Sequence, residues 1–316
     1  MQYNPLKPPR IRDFIKDKDD WIYAVCSYDN KERVGCILRY IPDESGERVS
    51  PEGVRYHKLS FDEAFSLIRS EKPDYFDLVH RVPYSDIIDL LKPDELFPKM
   101  AISDPRLTIL QNLLSVKTGN IGCSGSRLCG LEDINSDIDL VVYSEQFSEA
   151  RESLRKAVKN HYLPELSDSL WRQIYEKREP DINFSDFVLH EKRKWNRGAI
   201  DGTYFDILYS RSYNSLYHEL FYKGENLGQI KIEADVTDDS SVFDSPAIYK
   251  VNHEEISKVL SFTHTYTGQG FIGETIIAKG VCENFKGENY LIVGTTRNAH
   301  GEYILSKSLI NHETSK

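Results

Sequence analysis

The segment 122–143 reads GCSGSRLCGLEDINSDIDLVVY, and it limits the fold more than any other stretch of the chain. Asp137 and Asp139 open an apolar run containing Ile138, Leu140 and Val142. The side-chain period of two in a strand puts both carboxylates on one face and those three residues on the other, buried face. Two carboxylates this close repel and hold their protons more tightly unless a cation neutralises them. Hard oxygen ligands with open positions suit Mg²⁺ shared with a substrate phosphate. An acidic pair alone can also do no more than cap a strand end. The Gly125-Ser126 pair upstream, at a strand-to-helix turn, tips the balance. Glycine lets the backbone approach a phosphate, and the hydroxyl and amides donate to its oxygens. Arg127 follows and offers a bidentate fork for phosphate.

The surroundings describe one α+β domain over 99–223. Asp104-Pro105 is an N-cap with proline at the first helical position. Leu107, Leu110, Leu113 and Leu114 continue at helical spacing, and Gly119 is the expected stop. After the strand at 138–143, Phe147, Ala150, Leu154 and Val158 mark a second amphipathic helix. Further helical patterns cover 170–175 and 184–195. Asp201-Gly202 is a hairpin signal, and a strand over 204–209 follows. Residues 1–98 read as a strand-rich domain: 21–28 and 34–40 form a hairpin, Ser60 and Glu63 form a capping box, and 83–91 reads as a short helix. Residues 224–316 lose helical periodicity and hold five or six short strands, one of them expected over 259–266, the profile of a small OB-like barrel.

The run Gly125-Ser126-Arg127, then Gly130, then Ser136-Asp137-Ile138-Asp139-Leu140 resembles the signature of the DNA polymerase β-type nucleotidyltransferase superfamily. It is most similar to the minimal nucleotidyltransferase domains. The three-segment layout also looks like a group of uncharacterised archaeal predicted nucleotidyltransferases. The resemblance implies a polymerase-β-type core whose Gly-Ser turn holds a nucleotide's phosphates. It implies two Mg²⁺ ions, with Mn²⁺ as a substitute, on Asp137, Asp139 and a third carboxylate that activates the attacking hydroxyl. Asp206, within Tyr204-Phe205-Asp206-Ile207-Leu208, is the acid expected there, since a carboxylate in an apolar strand is costly without a partner. The alternative for Asp206 is an edge-strand residue facing water. Asp201 competes, but turn chemistry explains it better. The reaction implied transfers a nucleoside monophosphate from a nucleoside triphosphate to an acceptor and releases pyrophosphate.

Lys192, Arg193, Lys194 and Arg197 surround Trp195 in a segment able to neutralise a triphosphate or grip RNA, or equally to end a helix in solvent. On the C-terminal barrel, Phe262, His264, Tyr266 and Phe271, with Lys279 and Arg297, are the candidate oligonucleotide face. The acceptor is expected to be RNA of tRNA-like kind. A protein or small-molecule acceptor, or an inactive binding module, stays open, as does a protein partner. The net charge of −10 argues against a surface coated for bulk nucleic-acid binding. The 316 residues, 40% hydrophobic, suffice for two or three domains. No apolar run reaches a membrane span. Five cysteines without CxxC spacing, and no apolar leader, lead to the expectation of reduced thiols in a cytoplasm.

Overall fold

The computed structural model describes residues 7–144, 146–296 and 298–314. Its architecture is mixed α and β, with three sheets. The chain forms two compact units, Met1–Pro164 with Asn196–Leu220, and Glu165–Trp195 with Phe221–Lys316. Segments 1–98 and 99–223 thus both contribute to the first unit, whereas 165–195 falls in the second. Among the described residues no helix is long and apolar enough to cross a membrane.

The first unit opens with seven strands: β1 (Phe14–Asp17), β2 (Ile22–Val25), β3 (Arg33–Pro42), β4 (Arg48–Val49), β5 (Arg55–Lys58), β6 (His80–Pro83) and β7 (Ile87–Leu91). They form one sheet in the order β4-β5-β3-β2-β1-β7, with β6 also on β3. The hairpin expected at 21–40 is the β2–β3 pair. Helix α1 (Phe61–Glu71) carries the complete Ser60–Glu63 capping box. The helix expected over 83–91 is instead a 3₁₀ turn at Tyr84–Asp86 followed by strand β7. Its apolar residues complete the sheet edge against β1, where pairing overrides local preference.

Helices α2 (Pro93–Ser103) and α3 (Pro105–Leu113) lead to the second sheet, and Asp104 caps α3 through the Arg106 amide. That sheet holds β8 (Ile121–Cys123), β9 (Ile138–Tyr143), β10 (Arg197–Ile200) and β11 (Thr203–Ser210), in the order β10-β11-β9-β8. A single helical turn, α4 (Gly125–Leu128), follows β8, and α5 (Gln146–Lys159) follows β9. Leu128 and Leu131, downstream of the Gly-Ser turn, bury themselves among Phe14, Ile22, Tyr40 and Tyr56 of the first sheet. The turn therefore rests on an apolar anchor supplied by the N-terminal sheet.

The second unit contains α6 (Asp168–Arg178), α7 (Phe184–Lys194), six strands and α8 (Lys307–Thr314). The strands are β12 (Glu225–Ser241), β13 (Ala247–Asn252), β14 (Lys258–Ser261), β15 (Thr275–Phe285), β16 (Glu288–Val293) and β17 (Tyr303–Ser306). They pair in the order β12-β13-β14-β16-β15-β17, and β12 also pairs with β15, which closes a five-strand ring. Alternation in β12 explains the closure: Ile232, Ala234 and Val236 are buried, while Lys231, Glu233 and Asp235 are exposed. The strand expected over 259–266 stops at Ser261. Thr263 then accepts from the Thr265 amide and opens a 3₁₀ turn at His264–Tyr266.

Candidate active site

Parallel pairing of β9 and β11 sets Asp139 opposite Asp206, Val141 opposite Leu208, and Tyr143 opposite Ser210. Register partners project to one face across a strand spacing of about 4.8 Å. Asp139 and Asp206 therefore stand side by side, both half-buried. Asp137, exposed, precedes β9 by one residue, two positions from Asp139.

The Gly-Ser turn lies against the same carboxylate. The Ser124 amide donates to the Asp139 carbonyl at 2.8 Å, extending the β8–β9 ladder to the turn. Gly125 has φ +69°, and a Cβ there would fall 2.2 Å from Asp139 Oδ2. Only glycine fits that position. Ser126 is half-buried, and among the described residues its hydroxyl makes no hydrogen bond. Arg127, expected on a phosphate, is otherwise engaged. It pairs with Asp104 at 3.1 Å and donates to the carbonyls of Ser136 and Asp137 at 3.2 and 3.3 Å. It ties the loop that delivers Asp137 back to α3. Asp104 is held below the usual carboxylate range, first by its hydrogen bond from Arg106. Arg48 grips the same loop from β4, pairing with Asp133 at 2.8 Å.

Asp206 is bound on one oxygen. Its Oδ1 accepts from Arg197 and from the Tyr204 hydroxyl, each at 2.8 Å, and Tyr204 also accepts from Arg197 at 2.6 Å. The Arg197 side chain is only 2% exposed, so this cation serves Asp206 and is not a surface phosphate binder. Among the described residues Asp206 Oδ2 accepts no hydrogen bond. Nor do three His, Cys, Asp or Glu side chains among them converge as a ready metal cage.

No family model matches the chain, and no solved structure matches it. The uncharacterized protein MJ1086 of Methanocaldococcus jannaschii is 36% identical to it over 338 aligned positions. That alignment covers 94% of this chain and 99% of the relative. The chain belongs to the MJ1086 family.

In this member of the MJ1086 family the remaining expected residues separate. Lys192, Arg193 and Lys194 belong to the second unit. Lys192 is exposed, but Lys194 is fully buried in an ion pair with Glu191, and Arg193 pairs with Glu274 at 2.7 Å while stacking on Phe271. These two cations hold helix α7 in its own unit, so 192–197 is no continuous basic strip. On the ring, Tyr266 is core, accepting from the Asp181 amide, so the oligonucleotide face expected there loses it. Phe262 is 52% exposed, His264, Phe271 and Lys279 are half-buried, and Arg297 lies outside the described residues. Sequence reasoning missed the positioning roles of Tyr204 and Arg48. Tyr204 carried a signal, because it stands two residues before Asp206 and shares its strand face.

Proposed function

We propose that this chain is a divalent-metal-dependent nucleotidyltransferase of the polymerase β type. One observation carries the reading: Gly125 lies in contact range of Asp139, while Asp206 flanks Asp139 on the adjacent parallel strand. The all-oxygen donor set of Asp137, Asp139 and Asp206 suits Mg²⁺, with Mn²⁺ as a substitute. The bare Cα of Gly125 lets the Gly-Ser turn and its amides lie directly against Asp139. Magnesium held there would stabilise charge on the attacking and leaving oxygens.

The chain's own groups orient the reactants. Ser126 and the amides of its turn hold the triphosphate. Arg127 fixes the loop that presents Asp137. Arg197 and Tyr204 hold Asp206 by Oδ1, which leaves Oδ2 to take the proton from the acceptor hydroxyl. The acceptor oxygen bonds to the α-phosphorus as the bond to pyrophosphate breaks.

The test is incubation with each radiolabelled nucleoside triphosphate, Mg²⁺, and total cellular RNA or protein. The wild type labels one of them. Asp139→Asn abolishes labelling in a variant that still unfolds cooperatively, because the substitution removes the charge and keeps the side-chain volume. Wild-type labelling rates in the variant would sink the assignment.

A second observation favours RNA as acceptor. The ring follows the order 1-2-3-5-4-1, with the third and fifth strands parallel and the others antiparallel. That strand order supports the OB-like barrel expected there, a kind of fold that commonly binds oligonucleotides. RNA affinity that falls steeply with salt supports the reading, and salt-independent affinity contradicts it.

A further inference from the structure

We infer that Arg12 is a phosphate ligand of the nucleotide site, supplied by the N-terminal segment; this rests on the nucleotidyltransferase reading above. Three contacts lay that segment along the sheet face that carries Asp139 and Asp206. Arg10 stacks 3.9 Å over the Tyr143 ring, Ser210 Oγ donates to the Ile11 carbonyl at 2.9 Å, and Ser124 Oγ donates to the Arg12 carbonyl at 2.6 Å. Tyr143 and Ser210 are on the same face as the two carboxylates. Ser124 immediately precedes the Gly-Ser turn, so an arginine side chain rooted at residue 12 has the length to reach a phosphate there.

Arg12 combines two unfavourable features. Its φ of +83° lies in the left-handed region, which a non-glycine residue enters at a cost. The Arg12 amide, bonded to the Val25 carbonyl at 3.1 Å, holds it in place. Its Nε is buried with no hydrogen-bond partner, and among the described residues its guanidinium makes no ion pair. The cations around it behave otherwise. Arg10 pairs with Asp94 at 2.6 Å, Lys92 with Asp13 at 2.8 Å, and Arg48, Arg127 and Arg197 each have an acid. A buried donor left unmade is costly, and strain of this kind clusters where a ligand is bound. A phosphate would complete Arg12 by the bidentate geometry guanidinium favours.

The experiment is titration calorimetry of Mg²⁺·ATP and of Mg²⁺·tripolyphosphate against wild type, Arg12→Gly, Arg12→Lys and Gly125→Ala, with thermal unfolding of each. Arg12→Gly weakens both ligands about 10- to 100-fold, the range of a charge-assisted hydrogen bond. It also raises Tm by about 2–4 °C, because the strain is gone. Arg12→Lys keeps the charge and loses less affinity. Unchanged affinity in Arg12→Gly, with Gly125→Ala weakened, overturns the role of Arg12 and leaves the nucleotidyltransferase reading standing. A lower Tm with unchanged affinity assigns Arg12 a structural role and also overturns it. A wild type that binds neither ligand removes both claims together.

Discussion

Replacing Gly125 with alanine probes the contact on which the candidate site rests. The backbone there has φ +69°, and the new Cβ would fall 2.2 Å from Asp139 Oδ2 and 3.2 Å from its Cγ. The left-handed backbone costs a non-glycine residue about 1–2 kcal/mol. The overlap is relieved only when the carboxylate swings away by about 1 Å, a small cost for a half-buried side chain but a large one for chemistry. A displacement of that size in a reacting constellation costs roughly 10²-fold in rate. Gly202 provides the control: its φ is +75°, and an added Cβ meets nothing within 4 Å. Gly202→Ala therefore carries the backbone strain without the clash. Both variants should unfold about 2–8 °C below wild type, from about 2–4 °C per kcal/mol. Only Gly125→Ala should lose transfer, measured as pyrophosphate release. Equal transfer rates in the two variants would refute the claim that Asp139 and the Gly-Ser turn form one site.

Lys194→Met should destabilise the protein by about 3 kcal/mol in denaturant unfolding, because it removes the buried cation that pairs with the fully buried Glu191. Nucleotide affinity of the folded variant should not change; a loss would return Lys194 to the phosphate site. Burial pushes His80 and His190 down to about 4, from an ordinary value of 6.5. Between those values the unfolded chain binds protons that the folded one refuses, so stability should fall as pH drops from 6.5 to 4, by on the order of 3 kcal/mol per histidine. Denaturant midpoints that stay flat across that window would contradict the burial of both rings.

The strength of the turn signals decided how much of this was legible. Asp201-Gly202 fixes a two-residue hairpin, and its register pairs Ile200 with Thr203 and Arg197 with Asp206. The ion pair that holds the third carboxylate is therefore implicit in the sequence, although charge alone groups Arg197 with the cations of a basic strip or a solvated helix end. Lys194 was misread for a related reason. Phe187, His190, Glu191 and Lys194 recur at helical spacing on one buried face of α7, and the run of cations masked that periodicity. Tyr266 looked like strand because its neighbours are β-prone, whereas the Thr263 side chain ends the strand locally. Arg12 left no trace, since neither its positive φ nor its missing partner has a sequence signature.

The distribution of arginines bears on what the site accepts. Asp104, Asp133 and Asp206 border it, and each is matched by an arginine from a different element: Arg127 in α4, Arg48 in β4 and Arg197 in β10. These pairs neutralise the flanking acids without a ligand, which favours the folding of an acid-rich site in a chain of net charge −10. Two further features bear on it. Asp137 and Asp139 form an acidic pair that a cation stabilises, and among the described residues the Arg12 guanidinium makes no ion pair. A free metal ion answers only the first, and a free phosphate answers only the second. A metal–triphosphate complex presents both charges at once, and that is why the proposed substrate fits this arrangement better than either part alone.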